Sequence, residues 1–168
     1  MMNKFLKNII IMWSKEKFLS DIKVGEIGEE KTLEYLYSRD FTQEVIDVRD
    51  DDFWRDNDVD FILICKDGDI LKIETKTDRI AHKSKNLAYE VISNKHYNTQ
   101  GCFAKTKCDV MMYYLQETDE MYYINMGALR DYIEENKKDL ALKPMGDNAL
   151  GYLLRMNKLL EKEIMFKA

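Results

Sequence analysis

The spacing of hydrophobic positions changes along this chain, and the changes predict its elements. Between Ile22 and Ser38, Ile22, Gly25, Leu33 and Leu36 recur at helical intervals, with Glu29 on the same stripe. This predicts a helix with Asp21 as its N-cap. Gly25 and Gly28 cost helix stability, so they call for a reason such as close approach to a sheet. The pattern then turns strand-like over Phe41–Val48 and over Asp58–Cys65. The second run is unbroken in apolar character from Phe61 to Cys65, as in a strand covered on both faces. Asp69–Thr77 predicts a third strand and Asn86–Ile92 a fourth, before a polar, loop-like stretch over Ser93–Gly101. Val110–Gln116 and Met121–Met126 read as strand, turn, strand, Gly127–Asn136 as a helix, and the last stretch as a short strand running into a helix. A leading helix followed by strands and then mixed elements is the order of an α/β (α+β) domain, a central mixed β-sheet flanked by helices with an αβββ start.

Charges interrupt this pattern where burial is expected. Asp58, Asp60, Glu74 and Lys76 all lie on the second and third strands. Charged groups are seldom left inside unless they pair or bind metal. Glu74 and Lys76 share one face, as do Asp58 and Asp60, because strand side chains alternate. The turn decides whether the pairs meet. A two-residue Asp67–Gly68 loop would set Asp60 on the face opposite Glu74. A three-residue Lys66–Asp67–Gly68 loop pairs Cys65 with Asp69 and sets Asp60 across from Glu74, with Gly68 in the left-handed position of a G1 bulge. The second register accounts for the charges. Two acceptor-only carboxylates one strand apart repel unless a cation lies between them, and hard oxygen ligands suit Mg²⁺ or Mn²⁺. The backbone carbonyl of Thr75 is a candidate further ligand. Lys76 beside such an ion would orient water or stabilise a developing phosphorane charge. This is the equipment of metal-assisted phosphodiester hydrolysis.

Composition narrows the class. The 168 residues are 45% hydrophobic and 34% charged, as in one globular domain, and the single proline leaves no proline-rich linker. The formal net charge of −5 argues against a generally basic coat protein but leaves room for a basic face. Arg79, Lys83, Lys85, Lys105 and Lys107 follow the acidic strands and are candidate phosphate contacts. Three cysteines at spacings that match no closed four-ligand zinc site predict free thiols and a cytoplasmic setting. The apolar run Ile9–Trp13 is too short to span a bilayer, which takes about 20 residues, so no membrane association is expected. Residues 1–21 read as an N-terminal extension and 22–168 as the domain. His82 and His96 read as surface residues.

The helical "GEIGEEKTLEYL" (Gly25–Leu36), "DVDFILI" and "IETK" (Ile73–Lys76) together resemble the PD-(D/E)XK nuclease superfamily, in particular Holliday junction resolvase-type members. "KTDRIAHKSKNLAYEVISN" and "TKCDVMMYY" resemble phage- and mobile-element-encoded members, in which an Asn, here Asn86, opens a strand containing Glu. The resemblance spans roughly residues 22–130. It implies a restriction-endonuclease-like core and divalent-metal cleavage of DNA. It assigns Gly25 and Gly28 to the helical glycines, Glu29 to the helical acid and a possible second metal, Asp60 and Glu74 to the strand acids, and Lys76 to the lysine. It also places Asn86 near nucleic acid and makes a homodimer plausible. The family's proline before the first acid is absent, since Val59 precedes Asp60. Asp58 is a rival ligand to Asp60, and Glu26 and Glu30 are rivals to Glu29, though off its stripe. The competing reading is a non-catalytic nucleic-acid- or protein-binding module that retains the fold.

Overall fold

The structure, a computed structural model, describes residues 4–146 and 148–168. In chain order the elements are α1 (Lys4–Tyr37), β1 (Thr42–Asp47), α2 (Asp52–Asp56), β2 (Phe61–Cys65), β3 (Ile70–Asp78), α3 (Ala81–Ser84), β4 (Asn86–Asn94), β5 (Thr99–Gln100), α4 (Cys102–Lys105), β6 (Val110–Leu115), β7 (Glu120–Asn125), α5 (Met126–Asn136), β8 (Lys143–Met145), β9 (Ala149–Arg155), α6 (Met156–Glu161) and β10 (Met165–Lys167). The anticipated mixed sheet is present, with strand order β1-β2-β3-β6-β7-β10, and helices pack on it. A second, four-stranded sheet of order β5-β4-β9-β8 lies beside it.

Helix α1 begins well before Ile22, so Asp21 is inside the helix and not its cap. The first three residues of the expected 1–21 extension, and the side chains of Ile9–Trp13, lie outside the described set. The buried stripe is also rotated from the expected one. Gly28, Thr32 and Leu36 are buried, Glu29 borders them half-buried, and Ile22 is 43% exposed. The reason is steric. A Cβ at Gly28 would sit 1.9 Å from Thr77 Oγ1, so the helix approaches β3 most closely there. Gly25 meets nothing within 4 Å and needs no such explanation.

The β2–β3 hairpin adopts the three-residue loop. The Cys65 N–H donates to Asp69 O at 2.8 Å, the Gly68 N–H donates to Cys65 O at 2.9 Å, and Gly68 takes φ +97°. Phe61 pairs with Ile73 and Leu63 with Leu71. Strand β3 then pairs with β6 in parallel, Glu74 opposite Met111 and Lys76 opposite Tyr113. A parallel neighbour needs a crossover, and the chain between them, β4 to α4, supplies it. Strand β4 therefore leaves the main sheet and pairs with β9 instead. The predicted polar loop is partly structured, since β5 pairs with β4 inside it.

Two apolar clusters hold the layers. Leu36, Val45, Phe61, Leu63, Cys65, Ile73 and Met112 pack between α1 and the main sheet. A larger cluster that includes Leu87, Tyr89, Phe103, Met111, Tyr113, Leu129 and Leu159 fills the other side. All three cysteines are free thiols. Among the described residues, no helix is long and apolar enough to cross a membrane.

Candidate active site

Strand β3 carries the site because its two faces meet different neighbours. Ile73, Thr75 and Thr77 face α1: Ile73 packs with Leu36, Thr75 Oγ1 donates to Thr32 Oγ1 at 3.0 Å, and Thr77 abuts Gly28. Glu74, Lys76 and Asp78 project from the opposite face. With the hairpin in its observed register, Asp60 joins them there, just before β2. The Asp60 N–H donates to Ile73 O at 2.8 Å, and its Oδ2 accepts from the Thr75 N–H at 2.8 Å. One carboxylate is thus pinned by backbone while the other lies beside it.

The pair is electrostatically coupled. Burial pushes Asp60 up to about 6, with the negative charge of Glu29 and Asp58 adding to the rise and the Thr75 N–H opposing it. Burial, followed by the charge of Asp60 and Asp58, pushes Glu74 up to about 9, against the pull of Lys76. Glu74 Oε2 is buried with no hydrogen-bond partner. Burial disfavours the Lys76 ammonium, yet Cys102, Glu90 and Glu74 outweigh this and hold its pKa above the usual range. Burial pushes the Cys102 thiol up to about 11, so it is neutral at pH 7. Glu74, Lys76 and Cys102 line an open cleft of about 580 Å³ walled by Asp21, Val24 and Gly25 of α1.

The donor set has a definite chemical preference. Among the described residues, no three His, Cys, Asp or Glu side chains gather into a metal-holding cage. Two carboxylates, one with an orphaned buried oxygen, instead fit a hard cation that keeps much of its water shell. Mg²⁺ binds in this way, through one or two carboxylates plus water and substrate phosphate. A closed zinc site would need four ligands.

The remaining predicted residues divide clearly. Glu29, on α1, bears on Asp60 through its charge, and its Oε2 accepts from Arg49 Nη1 at 2.7 Å. Arg49 also binds Asp47 and lies 5.1 Å from the Phe61 ring centroid. Asp58, with φ +46°, accepts from Lys105 Nζ at 2.7 Å, and its carbonyl accepts from the buried Thr106 hydroxyl at 2.6 Å. Asp58 and Lys105 therefore occupy one another. Glu26 and Glu30 are exposed. Arg79 lines this same cleft and pairs with Asp21 at 2.8 Å. Lys83, Lys85 and Lys107 are exposed, and Asn86 opens β4. Lys85 lines a different cleft. His82 is half-buried with an unpartnered Nδ1, unlike the exposed His96.

Three residues of this site escaped the sequence reading. Arg49 lies two residues beyond the end of β1, a strand that pairs with β2, so its proximity to the acids was implicit in the hairpin order. Glu90 stands in a quoted motif without an assigned role. Its Oε1 accepts from the Cys102 N–H at 3.4 Å, and a Cβ at Gly101 would meet its side chain and carbonyl at 2.6 Å. Glycine at 101 lets β4 bring Glu90 and Cys102 beside Lys76. Nothing in the sequence alone points to Cys102, because this contact depends on the crossover.

No family model matches the chain, and no curated protein matches it. Among solved structures, that of the bacterial homing endonuclease I-Ssp6803I is similar, with a TM-score of 0.47 at 13% identity over 80% of this chain and 78% of that one.

Proposed function

We propose that the chain is a Mg²⁺- or Mn²⁺-dependent DNA endonuclease of PD-(D/E)XK type. One observation carries the reading: Asp60 and Glu74 share one face of a hairpin, and Glu74, with an unpartnered buried oxygen, lines a cleft beside the half-buried Lys76 two residues on. Buried acids are costly when unpaired, so their persistence here points to work done on a cation.

In this reading Asp60 and Glu74 hold the ion, with the Thr75 carbonyl as a further ligand. When bound, the ion supplies positive charge at the scissile phosphate and favours ionised water. The backbone contact from Thr75 keeps Asp60 in one orientation. Glu74, raised to about 9, would give up its proton to hold an ion. Lys76, kept charged by its acidic surroundings, faces the attacking water or the charge that develops on phosphorus. Glu29 is tied to Arg49 and acts on the site through its field and through that arginine, unless substrate binding frees it for a second ion.

The test is cleavage of plasmid, single-stranded and branched DNA with Mn²⁺ or Mg²⁺, beside Glu74→Ala and Lys76→Ala. Both variants should be inactive, and calorimetry should find Mn²⁺ binding to the wild type and not to Glu74→Ala. A stable wild-type fold that binds no Mn²⁺ and cuts nothing would overturn the reading in favour of a binding module.

A further inference from the structure

Across α3 from the catalytic cleft lies a second cleft, of about 560 Å³. Three cations line it: Lys85, Arg155 and Lys158. All three are exposed, and none forms an ion pair with a described residue. The carboxylate lining it, Glu120, is already matched, since its oxygens accept from Lys167 Nζ at 2.5 Å and Thr118 Oγ1 at 2.9 Å. The floor is apolar, formed in part by Leu115 and Met156. The surface is therefore concave and carries unbalanced positive charge on a chain whose net charge is −5.

Its position is built into the fold. Asn86 pairs with Arg155 across β4 and β9, and the Met156 N–H donates to Lys85 O at 3.0 Å, so two distant segments converge. Lys85 ends α3 at φ +54°, where glycine is the favoured residue, so a charged side chain there carries a conformational cost. The other end of α3 is tied to the catalytic cleft. Asp78, which lines that cleft, accepts from the Ile80 and Ala81 N–H groups at 2.6 and 2.7 Å. Helix α3 between them has only four residues, about 6 Å at ~1.5 Å per residue, so the two clefts are close together.

We propose that this second cleft grips the sugar–phosphate backbone of the nucleic acid, away from the bond that is cut. A polyanion draped over α3 reaches both clefts, which a small anion does not. The inference rests on the nuclease reading. Backbone contacts of this kind position the ligand without reading sequence.

The experiment is fluorescence-anisotropy binding of a labelled DNA duplex across a KCl series, in Ca²⁺ to suppress cleavage. The wild type is compared with the Lys85→Ala/Arg155→Ala/Lys158→Ala variant and with the single Lys158→Glu, an exposed change that leaves the core untouched. The triple variant should lose about 2–3 units of slope in log affinity against log salt, and Lys158→Glu about 1 unit or more, at roughly 0.9 per phosphate contact. Unchanged slopes in both variants, with wild-type cleavage intact, would overturn this inference alone. A wild type that neither binds nor cuts DNA would overturn the nuclease reading and this inference with it.

Discussion

The two faces of β3 differ in almost every physical respect although they belong to the same nine residues. On one, Ile73, Thr75 and Thr77 meet a helix across a seam so tight that only glycine fits at position 28. On the other, Glu74 and Lys76 stand among acids that raise one another's pKa, with an oxygen left unpaired. The first face is optimised for stability, and the second holds charges that the fold would be more stable without. A strand can do both because its side chains alternate, so neither role compromises the other's contacts. Substitutions on the two faces should therefore fail in different ways.

The largest effect belongs to the charged face. Glu74→Gln should lower kcat on the order of 10²–10³-fold or more in a plasmid-nicking assay, with a melting temperature equal to or above that of the wild type. A comparable loss of stability would erase the distinction between the faces. On the helix face, Gly28→Leu should destabilise by about 3 kcal/mol in urea unfolding, at the upper end of overpacking costs, because α1 must lift off Thr77. The third effect is a pH dependence. Asp60 and Glu74 are raised to about 6 and about 9 in the fold, above the usual carboxylate range near 4. Their contribution is therefore fully present at low pH and lost as pH rises through those values. The metal-free melting temperature should fall steadily between about pH 4 and pH 9. Glu74→Gln should flatten the upper part of that fall, and saturating Mn²⁺ should reverse it. The smallest is Thr32→Val, which removes the acceptor of the Thr75 hydroxyl and should cost about 1 kcal/mol with cleavage unchanged.

Much of the charged face was legible in advance, for a specific reason. Gly68 in a Lys66–Gly68 turn and the alternation of β2 and β3 are local features, and together they set the register that brings Asp60 to Glu74. The helix face was less legible. The expected stripe shared Leu36 with the true one but ran through Ile22 and Glu29 where the fold buries Gly28 and Thr32, because a glycine and a threonine score poorly as core residues until the close approach to Thr77 is known. Asp21 looked like a cap because its residue type suits one, yet its carboxylate binds Arg79, far along the chain. The ion pairs of Arg49 with Glu29 and of Lys105 with Asp58 join segments 20 and 47 residues apart, beyond the reach of any periodicity. The short edge strands β8 and β10 carry too few residues to show an alternation. The departure of β4 into its own sheet follows from the parallel pairing of β3 with β6, which only tertiary structure reveals.

The turn at Gly68 has a consequence for how such a chain can change. It lies roughly 17 Å from the acids, at ~3.3 Å per strand residue, and touches none of them. Yet it sets the phase of the hairpin: gaining or losing a single codon there would slide one strand past the other and turn Asp60 away from its partner, with every acid still present in the gene. A site of this kind can be undone through a loop that no inspection of its acids would suspect.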